Sequence, residues 1–279
     1  MTRLELMKEI VGTLTEAGIG EAKSDALILM DYIAGISRNE LMIHGDETVP
    51  EDTVKSIRDA ALVRTQHVPV QQITGFQSFM GLEFAVDEHV LIPRQDTEIL
   101  VEEVLKLGFS GMDILDMCTG SGCILLSLLK YMHDCRGTGV DISEDALKVA
   151  MKNSSDLEIP ARFLQGDLFG ALDDEDRYDI IVSNPPYIRS DVIPTLMEEV
   201  KDHEPMLALD GEADGLAFYR RIVDGAGKHL RRAGMLFFEI GYDQGESVSE
   251  LMKDAGFTDV EVYKDLAGLD RVVSGTYQG

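Results

Sequence analysis

The sequence predicts an α/β protein in which a mostly parallel sheet, closed by one antiparallel strand, follows a small helical domain and a β-hairpin linker. Three observations carry this reading. From residue 93 onward, short runs rich in Ile, Val and Phe alternate with helix-like stretches, which is the rhythm of a parallel sheet covered on both faces. The last two β-prone runs are separated only by Ala267, Gly268 and Leu269. A parallel return needs about a dozen residues, so these two must pair antiparallel. Before residue 70 the apolar residues recur at helical rather than strand spacing.

Taken in order, Leu4, Met7, Val11 and Leu14 mark a first helix, and Ala26, Met30 and Ile33 a second. Pro50 opens a further helix that carries Val54, Ile57 and Leu62. None of these segments contains a chemical motif, so residues 1–70 are assigned to a helical bundle that docks substrate. Residues 71–92 hold Phe76, Phe79, Gly81, Leu82, Phe84 and Val86, two short strands about a glycine turn. Residues 93–279 form the third segment, with strands expected at DILDM from 113, GTGVD from 137, ARFLQ from 161, YDIIVSN from 178, MLFFEI from 235, TDVEVYKDL from 258 and DRVVSGTY from 270.

Composition excludes several function classes. In 279 residues, 44% are hydrophobic and 27% charged, a globular balance with room for a sizeable core. Acidic residues number 51 against 25 Lys plus Arg, a formal net charge of -26. Such a surface repels phosphates and anionic headgroups, so no nucleic-acid or membrane partner is expected. The three cysteines, Cys118, Cys123 and Cys135, have neither disulfide-framework nor metal-ligand spacing; no metal is expected, and a cytoplasmic location fits. No stretch approaches a membrane span, and the N-terminus has no signal-peptide core.

The chemistry concentrates at strand ends. DILD runs into Met117, Cys118, Thr119, Gly120, Ser121 and Gly122 before an apolar helix. A glycine turn at a helix N-terminus lets ligand atoms approach bare backbone amides. The spacing is not that of a phosphate loop, and Leu125 stands where a dinucleotide fingerprint would need glycine. Nineteen residues beyond Gly122, Asp141 ends the next strand; a carboxylate there can accept from both hydroxyls of a ribose, or it can cap the helix that starts near Ser143. Asp167, Leu168 and Phe169 follow the third strand, where the carboxylate can accept from an adenine amino group while Leu168 or Phe169 packs on the ring. After the fourth strand come Ser183, Asn184, Pro185, Pro186 and Tyr187. Paired prolines fix the backbone without donating hydrogen bonds. The Asn184 side-chain oxygen and the Pro185 carbonyl then offer two acceptors for a planar NH2 group, with Tyr187 as an aromatic wall.

These residues resemble the glutamine methyltransferases of the HemK/PrmC type, which methylate the side-chain amide of a glutamine in peptide-chain release factors. The likeness rests on PVQQITG at 69, VLIPRQDTEILVE at 90, LDMCTGSG at 115, VDIS at 140, SNPPYI at 183, EPMLALDGEADGLAFYRRI at 204, FEIGYDQGE at 238 and DLAGLDRVV at 265. It implies a class I S-adenosylmethionine-dependent methyltransferase with a Rossmann-like, seven-stranded sheet. By similarity, S-adenosyl-L-methionine lies over Cys118, Thr119, Gly120, Ser121 and Gly122, with Asp141 on its ribose, Asp167 and Leu168 beside its adenine and Asn184 near its reactive end; the product is S-adenosyl-L-homocysteine. Asn184, Pro185, Pro186 and Tyr187 hold the glutamine, that of the GGQ loop of class 1 release factors, and the enzyme is expected to be monomeric. Two departures stand out. Cys118 replaces a usual glycine, so its backbone must avoid strained positive φ or the loop must shift. Gln95 and Asp96 replace Pro and Glu in a block that keeps Arg94 and Glu98.

A carboxamide nitrogen is a poor nucleophile, so rate must come from position and electrostatics rather than from a general base. His89 and His203 are read as surface or structural. Two other functions are compatible with parts of the pattern: an N6-adenine methyltransferase acting on nucleic acid, which would carry a basic face, and a non-catalytic adaptor on the same fold.

Overall fold

The computed structural model describes residues 1–279, which divide into two compact units. The first comprises Met1–Phe76 together with Met197–His203, and the second Gln77–Leu196 with Glu204–Gly279. This differs from boundaries at 70 and 92. Residues 71–76 belong with the helices, and a short stretch from far along the chain joins them.

In the first unit, α1 (Arg3–Glu16) starts in a capping box between Thr2 and Glu5. Its buried stripe is Leu6, Ile10 and Leu14, whereas Leu4 is exposed. The apolar residues of α1 fall on two adjacent stripes, and the one the spacing suggested lies largely at the margin. Helices α2 (Ala22–Ala34), α3 (Arg38–His44), α4 (Glu51–Arg64) and α5 (Val70–Thr74) complete a core that includes Leu29, Met30, Val54, Ile57 and Val70. Arg64 is buried here; its Nε donates to Asp25 at 2.7 Å, and its Nη2 to Glu199 from the returning segment. Burial pushes the Asp25 carboxyl up, against the pull of Arg64.

Strands β1 (Phe76–Phe79) and β2 (Leu82–Ala85) form a hairpin across Met80 and Gly81, both at positive φ, as a tight two-residue turn requires. The second unit continues with α6 (Gln95–Leu105), β3 (Asp113–Met117), α7 (Cys123–Tyr131), β4 (Arg136–Asp141), α8 (Glu144–Asp156), β5 (Arg162–Gln165) and β6 (Tyr178–Ser183). The single turns α9 (Glu198–Lys201), in the segment that joins the first unit, and α10 (Met206–Leu209) follow. The chain ends with α11 (Ala217–His229), β7 (Leu230–Glu239), α12 (Gly245–Asp254), β8 (Phe257–Lys264) and β9 (Asp270–Tyr277).

All seven expected strands enter one sheet in the order β5-β4-β3-β6-β7-β9-β8. The ladder from β5 to β7 is parallel, and β9 alone runs antiparallel. The antiparallel strand sits between β7 and β8 rather than at the edge, so the final hairpin is inserted into the sheet by its second arm. Alternate residues bury on opposite faces. On β6, Ile181 joins Tyr219, Ile222 and Phe238 on one face, while Ile180 and Val182 join Leu100, Leu125 and Phe237 on the other. Burial of both faces explains the nearly continuous apolar runs. It also leaves the carboxyl ends of β3, β4, β5 and β6 side by side, where a doubly covered sheet opens a crevice.

Candidate functional site

The loop after β3 is held from below. Thr119 Oγ1 donates to Asp116 Oδ2 at 2.6 Å, and the Thr119 amide donates to the Val140 carbonyl at 3.0 Å. The chain then turns tightly, with the Gly122 amide donating to the Thr119 carbonyl at 2.8 Å. Gly120 has φ 53° and a Cβ there would meet nothing within 4 Å, so its backbone lies open. Gly122 has φ 78°, and its Cβ would come 3.3 Å from the Ala150 Cβ, so this glycine lets the start of α7 approach α8. Cys118 does not avoid positive φ: it stands at φ 63°. The buried strand before it and the bonded turn after it over-determine a conformation that costs about 1–2 kcal/mol for a side-chain residue. Leu168 shows the same feature at φ 51°, and both residues line the same cavity.

Asp141 ends β4 with its two oxygens divided. Oδ2 accepts from the Gly120 amide at 2.9 Å and Oδ1 from the Ser143 amide at 2.9 Å. Burial raises its pKa against these amides, which lower it. The helix-cap alternative is not the whole of its role, because the N-cap of α8 is Ser143, whose Oγ accepts from the Ala146 amide. Asp141 fastens the glycine loop and keeps lone pairs toward the cavity it lines. Beneath the loop, Asp116 is fully buried and its carboxyl is pushed up to about 7, chiefly by loss of solvent and further by Asp141, against the Thr119 bond. Asp167 lines the cavity while accepting from Arg221 at 2.7 Å.

The diproline corner follows β6, which Ser183 ties to β3 through a 2.6 Å bond to the Met117 carbonyl. Asn184 lines the cavity, and its Nδ2 donates to Thr97 Oγ1 of α6 at 3.4 Å. With the NH2 so directed, Oδ1 is the group left to accept from a ligand. Pro186 also lines the cavity, whereas Pro185 and Tyr187 do not. Tyr187 is thus not placed as a wall: its ring packs on the core, and its hydroxyl donates to Glu239 Oε1 at 3.3 Å. The Tyr187 carbonyl accepts from Gln244 Nε2 at 3.1 Å. A Cβ at Gly211 would lie 2.7 Å from Tyr187 Cα, so a side chain there would displace the corner. Glu239 itself is buried and pushed up to about 7, mainly by burial, against Thr97, Arg271 and Tyr187.

The structure therefore brings Cys118, Thr119, Gly120, Ser121, Asp141, Asp167, Leu168, Asn184 and Pro186 around one cavity, with Gly122 behind as the N-cap of α7. It adds residues that local motifs did not single out: His89, Arg94, Thr97, Leu207, Phe218 and Arg221. Arg94 is anchored by the buried Glu204 at 2.6 and 2.7 Å, and Arg221 sits 5.8 Å from the Phe218 ring centroid. Arg94 and Thr97 lay within a recognised block, but nothing in the block distinguished lining from packing.

The chain is similar to several known proteins. A family model described as the PrmC N-terminal domain matches residues 5–75, and one described as the methyltransferase small domain matches residues 94–213. A release factor glutamine methyltransferase of Clostridium acetobutylicum is 42% identical over 254 residues, covering 89% of each chain. One from Caulobacter vibrioides is 39% identical and covers 94% of this chain and 92% of its own. Among solved structures, the 16S rRNA N2 G1207 methyltransferase of T. thermophilus, in complex with AdoMet and guanosine, aligns with a TM-score of 0.52. That alignment covers 73% of this chain and 50% of the other at 19% identity, a likeness of fold.

Proposed function

The chain belongs to the release factor glutamine methyltransferase family, and from that premise we propose that its cavity joins a cofactor cradle to an amide-binding corner. It is a methyltransferase acting on the side-chain amide nitrogen, N5, of a glutamine in peptide-chain release factors, with S-adenosyl-L-methionine as donor. The observation that carries the site assignment is the Asn184 carboxamide. Its nitrogen donates to Thr97, and the residue lines the same cavity as the glycine loop and Asp141.

The donor set fits the cofactor. Gly120 leaves open backbone where a side chain would intrude, Asp141 offers carboxylate lone pairs for a ribose, and Asp167 with Leu168 offers an acceptor and an apolar contact for adenine. When bound, S-adenosyl-L-methionine supplies an electrophilic sulfonium methyl. The protein's part is to present the acceptor. Asn184 Oδ1 accepts from the glutamine amide and orients its nitrogen toward the donor. As that nitrogen forms its new bond it gains positive charge, and the acceptor strengthens with it; stabilisation specific to the transition state follows. The surplus proton is acidic by then and leaves without an assigned base.

Class 1 release factors and their GGQ loop are the proposed substrates, with the enzyme acting as a monomer in the cytoplasm and without direct contact to nucleic acid. No helix is long and apolar enough to cross a membrane. The reading is tested by mass spectrometry of a release factor incubated with enzyme and cofactor. One added methyl on the loop glutamine is the expected result; a methyl elsewhere, or on adenine in an added RNA or DNA, would overturn it.

A further inference from the structure

The turn between β8 and β9, residues 265–269, stands at the carboxyl end of the sheet, the end that carries the cavity. Ser183 of β6 is level with Phe238 of β7, and Phe238 with Val273 of β9. The start of β9 therefore lies two strands from the Asn184 corner, about 10 Å away. One carboxylate fixes the turn. Asp265 Oδ1 accepts from the Ala267 and Leu269 amides, each at 2.9 Å, and Oδ2 accepts from Arg271 Nη2 at 3.1 Å. The same Arg271 nitrogen reaches Asp96 Oδ2 at 3.1 Å, on the first turn of α6 beside the cavity-lining Thr97. On this braced backbone Leu266 is wholly exposed and Leu269 is exposed. Tyr242 is exposed too, on the loop after β7. That loop adjoins the same strand: the Ile240 amide donates to the Arg271 carbonyl at 2.9 Å, and a Cβ at Gly245 would lie 2.5 Å from Asp270 Oδ2.

We propose that Leu266, with Leu269 and Tyr242 beside it, is a docking contact for the release factor, seated in an apolar depression of that protein next to the loop that bears the glutamine. This rests on the methyltransferase reading above and adds to it where the body of the substrate is held. A glutamine carried on a protein loop reaches the Asn184 corner only when the surface flanking that loop comes down on the rim of the cavity, and the β8–β9 turn is rim at that distance. Single exposed leucines are common, whereas apolar side chains gathered on ordered backbone beside a site mark an interaction surface. The three hydrogen bonds to Asp265 order the turn before binding, so little conformational entropy is left to lose on contact. Burial of the leucine then contributes affinity in proportion to the area it removes from water. Leu266, Leu269 and Tyr242 are not among the cavity-lining residues, so their effect belongs to affinity for the protein substrate and not to turnover or cofactor affinity.

The test uses the full chain and a full-length release factor. Leu266→Ser should weaken release-factor affinity about 10-fold, the lower end of what burying a leucine contributes, read by calorimetry on enzyme loaded with S-adenosyl-L-homocysteine. Its kcat at saturating release factor, and its own affinity for S-adenosyl-L-homocysteine, should stay within about twofold of the unaltered chain. Leu266→Met keeps the apolar bulk and should hold release-factor affinity within about twofold. Unchanged release-factor affinity in Leu266→Ser, a loss of kcat or cofactor affinity as large as the loss of release-factor affinity, or an equal loss in Leu266→Met would each overturn the inference. So would an unaltered enzyme that sediments as a dimer beside a Leu266→Ser chain that sediments as a monomer, because the occupant would then be a second copy of this chain. Failure of the unaltered enzyme to methylate glutamine would instead count against the functional reading itself.

Discussion

In the proposed function Asn184 supplies a single oxygen to the substrate amide. Asn184→Ala should lower turnover about 100-fold or more, as removal of an oxyanion-hole donor does, with an unchanged far-ultraviolet spectrum and melting temperature. Near-normal turnover would remove the acceptor site from the mechanism. That Asn184, Gly120 and Asp141 meet at one cavity was legible in the sequence because each stands in a short motif at a strand end. Thr97 was not, since its partner lies 87 residues away and only the fold joins them. Tyr187, expected as an aromatic wall, packs its ring on the core and is not among the cavity-lining residues, since a motif gives residue types and not the direction of a ring. Cys118 shows a similar limit: steric rules forecast avoidance of positive φ, but the surrounding bonds decide.

Among the elements, α7 and β3 set the cradle. Gly122→Ala would place a methyl at φ 78° and 3.3 Å from Ala150, so a destabilisation of about 1–3 kcal/mol is expected from backbone strain and crowding, read as a lower urea midpoint. On β3, Asp116 has its carboxyl raised from 3.8 to about 7. On β7, Glu239 is raised from 4.5 to about 7. Over the interval between those values the folded chain holds protons the unfolded chain has lost, so the stability these groups contribute is present at low pH and is lost as pH rises. The urea midpoint should therefore fall from about pH 5 to about pH 7.5, and Asp116→Asn should flatten that fall; an unchanged slope would deny the group its titration. The strands themselves were readable from apolar runs. The final hairpin was too, through its three-residue connection, but a short connection says nothing about which arm enters the sheet, and it is β9 that pairs with β7.

For the molecule as a whole, the net charge of -26 acts at range. If the field steers docking onto a basic partner surface, association with a release factor should slow as salt rises, because screening shortens the reach of the field. Stopped-flow association rates independent of ionic strength would show that the acidity serves solubility alone. The division of the chain was the least legible feature, since no composition change announces that Met197–His203 completes the helical unit. Those residues bring Glu199 to the buried Arg64, and His203 accepts at its carbonyl from Gln72. A gene fragment ending at residue 76 would encode an incomplete body, short of one carboxylate for its guanidinium. Recombination could not transplant the helices as a cassette onto another catalytic partner unless it also carried the distant insert, so the two units are bound to be inherited together.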